Sequence, residues 1–166
     1  MNIQTGDKFS WSRTFTAEDV LRFGELTGDR GIHHVRPDDQ GRLMVHGLLT
    51  ASIGTKIGGD LNYIAREMTS EFIRPVFTGD TVTCEVTIEK VEQKEGYKTV
   101  EMKAEYRNQH GKVVMYGSSS GNRGLKKIIL REGYCCLSGE PATRKKSMLR
   151  RENGNGFKSG ICPICL

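Results

Sequence analysis

The sequence predicts an α+β domain in which an antiparallel sheet wraps around one long buried helix. Three observations carry that prediction. From Thr81 onward hydrophobicity alternates with a period of two through consecutive segments joined by turn residues, as in strands with one solvated face. Between His46 and Ile57, apolar residues instead spread around most of a helix circumference, as in a buried helix. The apolar side of the sheet needs a cover, and that helix is the only candidate for it.

The chain of 166 residues is one domain's worth, long enough to bury a core, with 36% hydrophobic residues and a mean hydropathy of -0.48. No apolar run reaches the roughly 18–20 residues of a membrane span, and Met1 to Asp7 lack a basic-then-apolar leader, so a cytoplasmic protein without membrane partners is expected. The net charge of +5 is unevenly placed. Residues 122–166 hold ten Lys or Arg against three acids, and residues 1–121 hold fifteen against seventeen. The basic character is in the tail alone, so the body gives no electrostatic case for a nucleic-acid partner.

Lys8 to Phe15 reads as a short strand with Phe9, Trp11 and Phe15 as its bulky residues. Thr16 and Asp19 form a capping-box pattern at the start of a helix from Ala17 to about Leu26. That helix puts Val20, Phe23 and Thr27 on one face with Leu21 and Leu26 beside it, and Gly28 suits the residue just past its end. The segment from Arg30 to Met44, with Gly31, Pro37 and Gly41, reads as irregular. The apolar helix follows, from about His46 to Ile57, ended by Gly58-Gly59-Asp60. Glu71 to Phe77 reads as extended, with Pro75 arguing for an edge or a bulge. Thr78-Gly79-Asp80 is a turn. Thr81 to Val91 directs Val82, Cys84, Val86 and Ile88 to one side. Lys98 to Arg107 does the same with Val100, Met102, Ala104 and Tyr106. Glu95-Gly96 and Asn108 to Gly111 are the turns, and Lys112 to Ser118 is the last strand.

The chemistry concentrates in Gly28-Asp29-Arg30-Gly31-Ile32-His33-His34 and in Val45-His46-Gly47-Leu48. Asp29 emerges directly from a helix end, a rigid place from which to present a carboxylate, and a histidine follows five residues later. The next helix offers free backbone N–H groups at its first turn. A carboxylate, an imidazole and an anion-stabilising helix end suffice for acid–base chemistry on a carbonyl compound. Taken singly the residues have plainer readings. Asp29 can be a loop acid, His46 a structural residue bonding loop backbone, and Thr55 a packed residue bonding the preceding turn's carbonyl. His110 reads as an exposed turn residue.

These segments, with Phe72-Ile73-Arg74-Pro75-Val76-Phe77-Thr78-Gly79-Asp80-Thr81-Val82, resemble the MaoC-like dehydratases of the hotdog fold, a group that includes (R)-specific enoyl-CoA hydratases. The resemblance covers about residues 6–120. It implies that Asp29 and His34, rather than His33, are the catalytic pair holding one water. It also implies that the backbone N–H of Gly47 binds the thioester carbonyl oxygen and that Thr55 stands where a supporting serine is frequent. The implied reaction is reversible hydration of a 2-enoyl-CoA to the (R)-3-hydroxyacyl-CoA, with no metal or redox cofactor. The implied substrate carrier is CoA or an acyl carrier protein, and the implied assembly is a homodimer or dimer of dimers. Where the family usually reads Gly-Asp-x-Asn-Pro-x-His, Gly31 and Ile32 replace the Asn and Pro. The connection from His34 to His46 is also shorter than in typical members. A thioesterase, which would release free CoA, and a non-catalytic acyl-CoA-binding module remain as alternatives.

The organisation expected is a domain over 1–121 and a basic, cysteine-containing, flexible tail over 122–166. Cys162-Pro163-Ile164-Cys165 has the spacing of half a zinc site, but the adjacent pair Cys135-Cys136 is a poor second half, so no metal is expected there.

Overall fold

The computed structural model describes residues 2–124. The readings of the tail beyond Gly124, its four cysteines included, lie outside the described residues. Within them, five strands form one antiparallel sheet in the order β1-β3-β4-β5-β2. The strands are β1 (Lys8–Thr14), β2 (Tyr63–Phe72), β3 (Thr81–Lys94), β4 (Tyr97–Asn108) and β5 (Val113–Arg123). The sheet and the helix against it are the α+β hotdog architecture.

The alternation in β3 and β4 fixes which face is inward. Val82, Cys84, Val86 and Ile88 are buried while Thr83 and Glu85 are exposed, and across the ladder Val100, Met102 and Tyr106 are buried. Glu95-Gly96 and Asn108 to Gly111 make the two hairpin turns, with Gly96 and Gly111 at positive φ. β5 continues to Arg123, past the limit expected at residue 121. Burial raises the Cys84 thiol to about 11, with the nearby Tyr106 hydroxyl opposing the shift.

Helix α1 (Ala17–Thr27) starts as the capping box predicts. The Thr16 hydroxyl accepts from the Asp19 N–H at 3.1 Å, and the Asp19 carboxylate accepts from the Thr16 N–H at 3.0 Å. Gly28 ends it in the left-handed region, φ 77°, which a glycine adopts without a Cβ penalty. Its buried residues are Val20 and Gly24, whereas Leu21 and Leu26 are exposed.

Four expectations are corrected. The apolar helix is two pieces, α3 (Gly47–Ala51) and α4 (Ile53–Asp60), joined at Ser52. The carbonyls freed at the break are taken up locally: the Ser52 hydroxyl donates to Leu49 O at 2.6 Å and the Tyr106 hydroxyl to Ala51 O at 3.2 Å. α4 does not stop at Gly58-Gly59, because Leu61, buried to 1% exposure, anchors the last turn and donates its N–H to Ile57 O at 3.1 Å. Nor is this helix buried all round. Leu49, Ala51, Ile53 and Ile57 are buried, while Leu48 is 67% exposed and Thr55 and Lys56 are exposed. Finally, the extended segment lies earlier than expected. β2 begins at Tyr63 and ends at Phe72, after which Ile73 and Arg74 both donate to Val114 O, and Pro75, lacking an N–H, interrupts further pairing. An isolated Met44–Phe77 bridge follows, flanked by bonds from the Val45 N–H to Val76 O and from the Thr78 N–H to Leu43 O. No helix among the described residues is long and apolar enough to cross a membrane.

The fit of α4 against the sheet is close at Gly54. A Cβ there would lie 2.6 Å from the Tyr106 hydroxyl oxygen, which is buried and committed to Ala51 O. Gly54→Ala is therefore expected to destabilise the domain by about 1–3 kcal/mol through overpacking. Urea unfolding would measure this, and an unchanged midpoint would count against the packing described.

Candidate active site

The end of α1 positions Asp29. Gly28 turns the chain, the Asp29 N–H donates to the Thr27 hydroxyl at 3.2 Å, and that hydroxyl donates to Phe23 O at 2.7 Å. Asp29 Oδ1 accepts from the Gly31 N–H at 3.2 Å, a tight turn that leaves Oδ2 free to point elsewhere. Gly31 then caps a short helix, α2 (Ile32–Val35), in a stretch expected to be irregular. The His34 N–H donates to Gly31 O at 2.8 Å.

α2 delivers His34 rather than His33 to Asp29. His34 is buried, and its Nε2 lies 3.9 Å from Asp29 Oδ2, while His33 is exposed with its ring tilted against that of His34. The other nitrogen of His34 settles its tautomer. Nδ1 is 2.7 Å from Met44 O, and since a carbonyl only accepts, Nδ1 carries the hydrogen. In the neutral form of the ring, Nε2 is then the nitrogen with the lone pair, and it faces Asp29. Met44 is itself held: its N–H donates to His33 O at 3.1 Å, and the Val45 N–H donates to Val76 O at 2.8 Å. The Asp29–His34 gap is too long for a direct hydrogen bond and fits one water oxygen bonded to both groups.

Gly47 is the first residue of α3, so its N–H has no partner within the helix. The Phe72 ring lies over it; a Cβ on Gly47 would be 2.9 Å from Phe72 Cε1. A side chain here would press on the ring, which would have to move aside. Gly47, His34, Met44, Phe72, Arg74 and Val114 border a cleft of about 310 Å³. Asp29 borders a smaller hollow of about 120 Å³ with Gly24 and His46, and His34 forms a wall of both.

Thr55 is not brought to this pair. It is exposed, its hydroxyl donates to Ser52 O at 2.6 Å, and it lines a separate groove of about 310 Å³ with Gly58, Met68, Met102 and Met115. His46 bonds loop backbone, as its plainer sequence reading has it, and also packs on His34. It is 2% exposed and donates from Nε2 to the backbone carbonyl of Asp29 at 3.0 Å. Its ring stacks on His34 at 3.6 Å between centroids and 19° between planes. Asp29, His34 and His46 bring ligand-type atoms within 4.8 Å of one another. Stacked rings direct their lone pairs along near-parallel planes, however, which does not suit convergence on one ion, and His46 Nε2 is already spent on a carbonyl.

The fold and this site define a hotdog-fold protein with an Asp–His pair beside a helix start. A family model described as the FAS1-like, dehydratase domain region matches residues 35–116, beginning just after His34. An (R)-hydratase from A. caviae involved in PHA biosynthesis superposes with a TM-score of 0.64 at 26% identity, covering 72% of this chain and 96% of that one. The R-hydratase PhaJ1 from Pseudomonas aeruginosa gives 0.65 at 21% identity, with 82% and 94% covered. A MaoC-like dehydratase from Rhodospirillum rubrum gives 0.60 at 19%, with 74% and 93% covered. No match is found among curated protein sequences. The resemblance of the chain is thus to MaoC-like dehydratases and (R)-hydratases.

The Gly47–Phe72 contact is testable. Phe72 is 52% exposed and its ring is free to swing, so Gly47→Ala should lower stability by only about 1 kcal/mol. In a double-mutant cycle of denaturant unfolding, Phe72→Ala should remove that loss. Additive effects would place the strain elsewhere.

Proposed function

We propose that the protein catalyses reversible hydration of 2-enoyl thioesters to (R)-3-hydroxyacyl thioesters. The observation that carries the reading is the Asp29–His34 pair at 3.9 Å, with His34 locked as the Nδ1–H tautomer by Met44 O. The hydratase and dehydratase names of the structural neighbours support it. The (R) configuration comes from the resemblance.

In this reading a water bridges Asp29 Oδ2 and His34 Nε2. His34 takes one proton from the water as its oxygen bonds to Cβ and the Cα–Cβ π electrons move toward the thioester carbonyl. The carboxylate of Asp29 accepts a hydrogen bond from the other water hydrogen and stabilises the imidazolium. The enolate-like oxygen so formed is met by the Gly47 N–H at the start of α3. Return of the proton from Nε2 to Cα completes addition of one water and restores neutral His34. Dehydration is the same path reversed. The chemistry calls for no metal or redox cofactor, since water is the co-substrate.

Thr55 is assigned to the acyl side of the substrate, because its groove is lined by Met68, Met102 and Met115. The carrier is CoA or an acyl carrier protein. β2 lies at an edge of the sheet with Ile64, Met68 and Phe72 exposed, which supports a homodimer, or a dimer of dimers, joined along that edge. The reading places the protein in the cytoplasm, with neither membrane nor nucleic acid as partner.

With crotonyl-CoA, or longer 2-enoyl-CoA, loss of enoyl absorbance without release of free thiol is expected. Thiol release would assign a thioesterase instead. Tight binding without turnover would assign a binding module. Asp29→Asn and His34→Ala are each expected to lower kcat by about 10²–10⁴-fold with the circular dichroism spectrum unchanged. Substantial turnover in either variant would overturn the assignment.

A further inference from the structure

We propose that His46 is the positioning residue of this site, holding Asp29, His34 and the Gly47 N–H in one register through a single imidazole. The inference rests on the hydratase reading for its catalytic meaning. Its geometric content is independent of that reading.

His46 meets each of the three components differently. Its Nε2–H donates to the main-chain carbonyl of Asp29 at 3.0 Å, across seventeen residues of chain. This fixes the backbone from which the carboxylate projects. Its ring lies flat on that of His34 at 3.6 Å, which fixes the plane of the imidazole whose Nε2 faces Asp29. It also caps α3, so the peptide joining it to Gly47 carries the N–H assigned to the thioester oxygen. The His46 carbonyl is pinned in turn by the Thr50 N–H at 3.0 Å and the Thr50 hydroxyl at 3.3 Å. On its remaining side the ring packs at a tilt against Phe23, 5.0 Å away. The backbone of Asp29 is held closely there as well, since a Cβ on Gly24 would lie 3.0 Å from Asp29 O.

The second ring nitrogen argues against a role in packing alone. Nδ1 of His46 is buried and has no hydrogen-bond partner among the described residues. An unpaired buried nitrogen lowers stability relative to an apolar side chain of similar shape. A leucine or phenylalanine would fill the space without that penalty, but neither could donate to Asp29. The nitrogen that does bond is the one on the catalytic side, and small displacements of reacting groups weigh on kcat far more than on substrate affinity.

The test separates the ring from its donor. His46→Phe keeps an aromatic surface against His34 and removes the N–H, while His46→Gln restores an N–H donor at the reach of Nε2 without the ring. With a 2-enoyl-CoA, H46F should lower kcat at least tenfold with KM changed by less than about twofold, and H46Q, which restores the donor but not the stacked ring, should recover at least threefold of that loss without reaching wild type. If H46F does not fold, H46L replaces it with the same expectation. A kcat for H46F or H46L close to wild type, a KM that rises in step with the loss of kcat, or an H46Q no better than H46F would each overturn the proposal.

Hydrogen exchange at the Gly31 amide, which donates to Asp29 Oδ1, gives a readout without substrate. It should quicken about tenfold in H46F and remain near wild type in H46Q, in proportion to the loosening of the turn. Should the wild type hydrate no enoyl thioester, the hydratase reading fails while this exchange pattern still decides the positioning role. Unchanged exchange in H46F beside an active wild type would overturn the positioning role alone.

Discussion

The apolar face shared by β3, β4 and β5 is the constraint on which the remainder of the domain depends. It carries Val82, Cys84, Val86, Ile88, Val100, Met102 and Met115, all buried. Such a face must be covered, at roughly 25 cal/mol for each Å² of apolar surface withdrawn from water. The helical segment α3–α4 contributes Leu49, Ala51, Ile53 and Ile57 to the same buried core. Seating that face fixes the line of the helix and therefore the place of its first residues. His46 and Gly47 owe their position to a packing requirement several residues away from any chemistry.

The same constraint explains the break at Ser52. A sheet that twists around a helix cannot be followed by a straight cylinder without loss of contact. After the break it is α4 that packs on β1, β2 and β3. The division frees carbonyl groups, and a buried tyrosine hydroxyl and the Ser52 side chain take up two of them. Tyr106 thus serves the core with its ring and the backbone with its oxygen. Gly54 is the space that this oxygen needs.

What could be read from the sequence follows from where side chains face. β3 and β4 have one face in water and one in the core, so their alternation was plain. α1 was legible from Thr16 and Asp19, whose reciprocal bonds are local. β2 was not legible, because nearly all of its side chains are exposed and no alternation marks it. α2 was hidden for a different reason. In the family pattern Asn and Pro stand at the cap and first helical positions, where both are strong start signals, and here Gly31 and Ile32 replace them. The spacing of Asp29 and His34 was visible, and the structure brings the two together. His46 reads from sequence as a residue bonding loop backbone, and it does bond the Asp29 carbonyl; its stacking on His34 was not legible, because a ring contact leaves no pattern in local sequence. Thr55 was placed by analogy along a helix, and the exposed side of α4 carries it to a different groove.

Cys84 has a consequence of another kind. Its thiol sits at 0% exposure on β3, between Trp11 of β1 and Tyr106 of β4, and burial raises it to about 11. As a thiol without thiolate character it is shielded from alkylating and oxidising reagents while the sheet is closed. It becomes an ordinary reactive cysteine once the strands on either side part. The domain therefore contains its own reporter of opening. The pace at which a label accumulates at this one position follows how often the central strands separate, with no substitution or fluorophore introduced into the core.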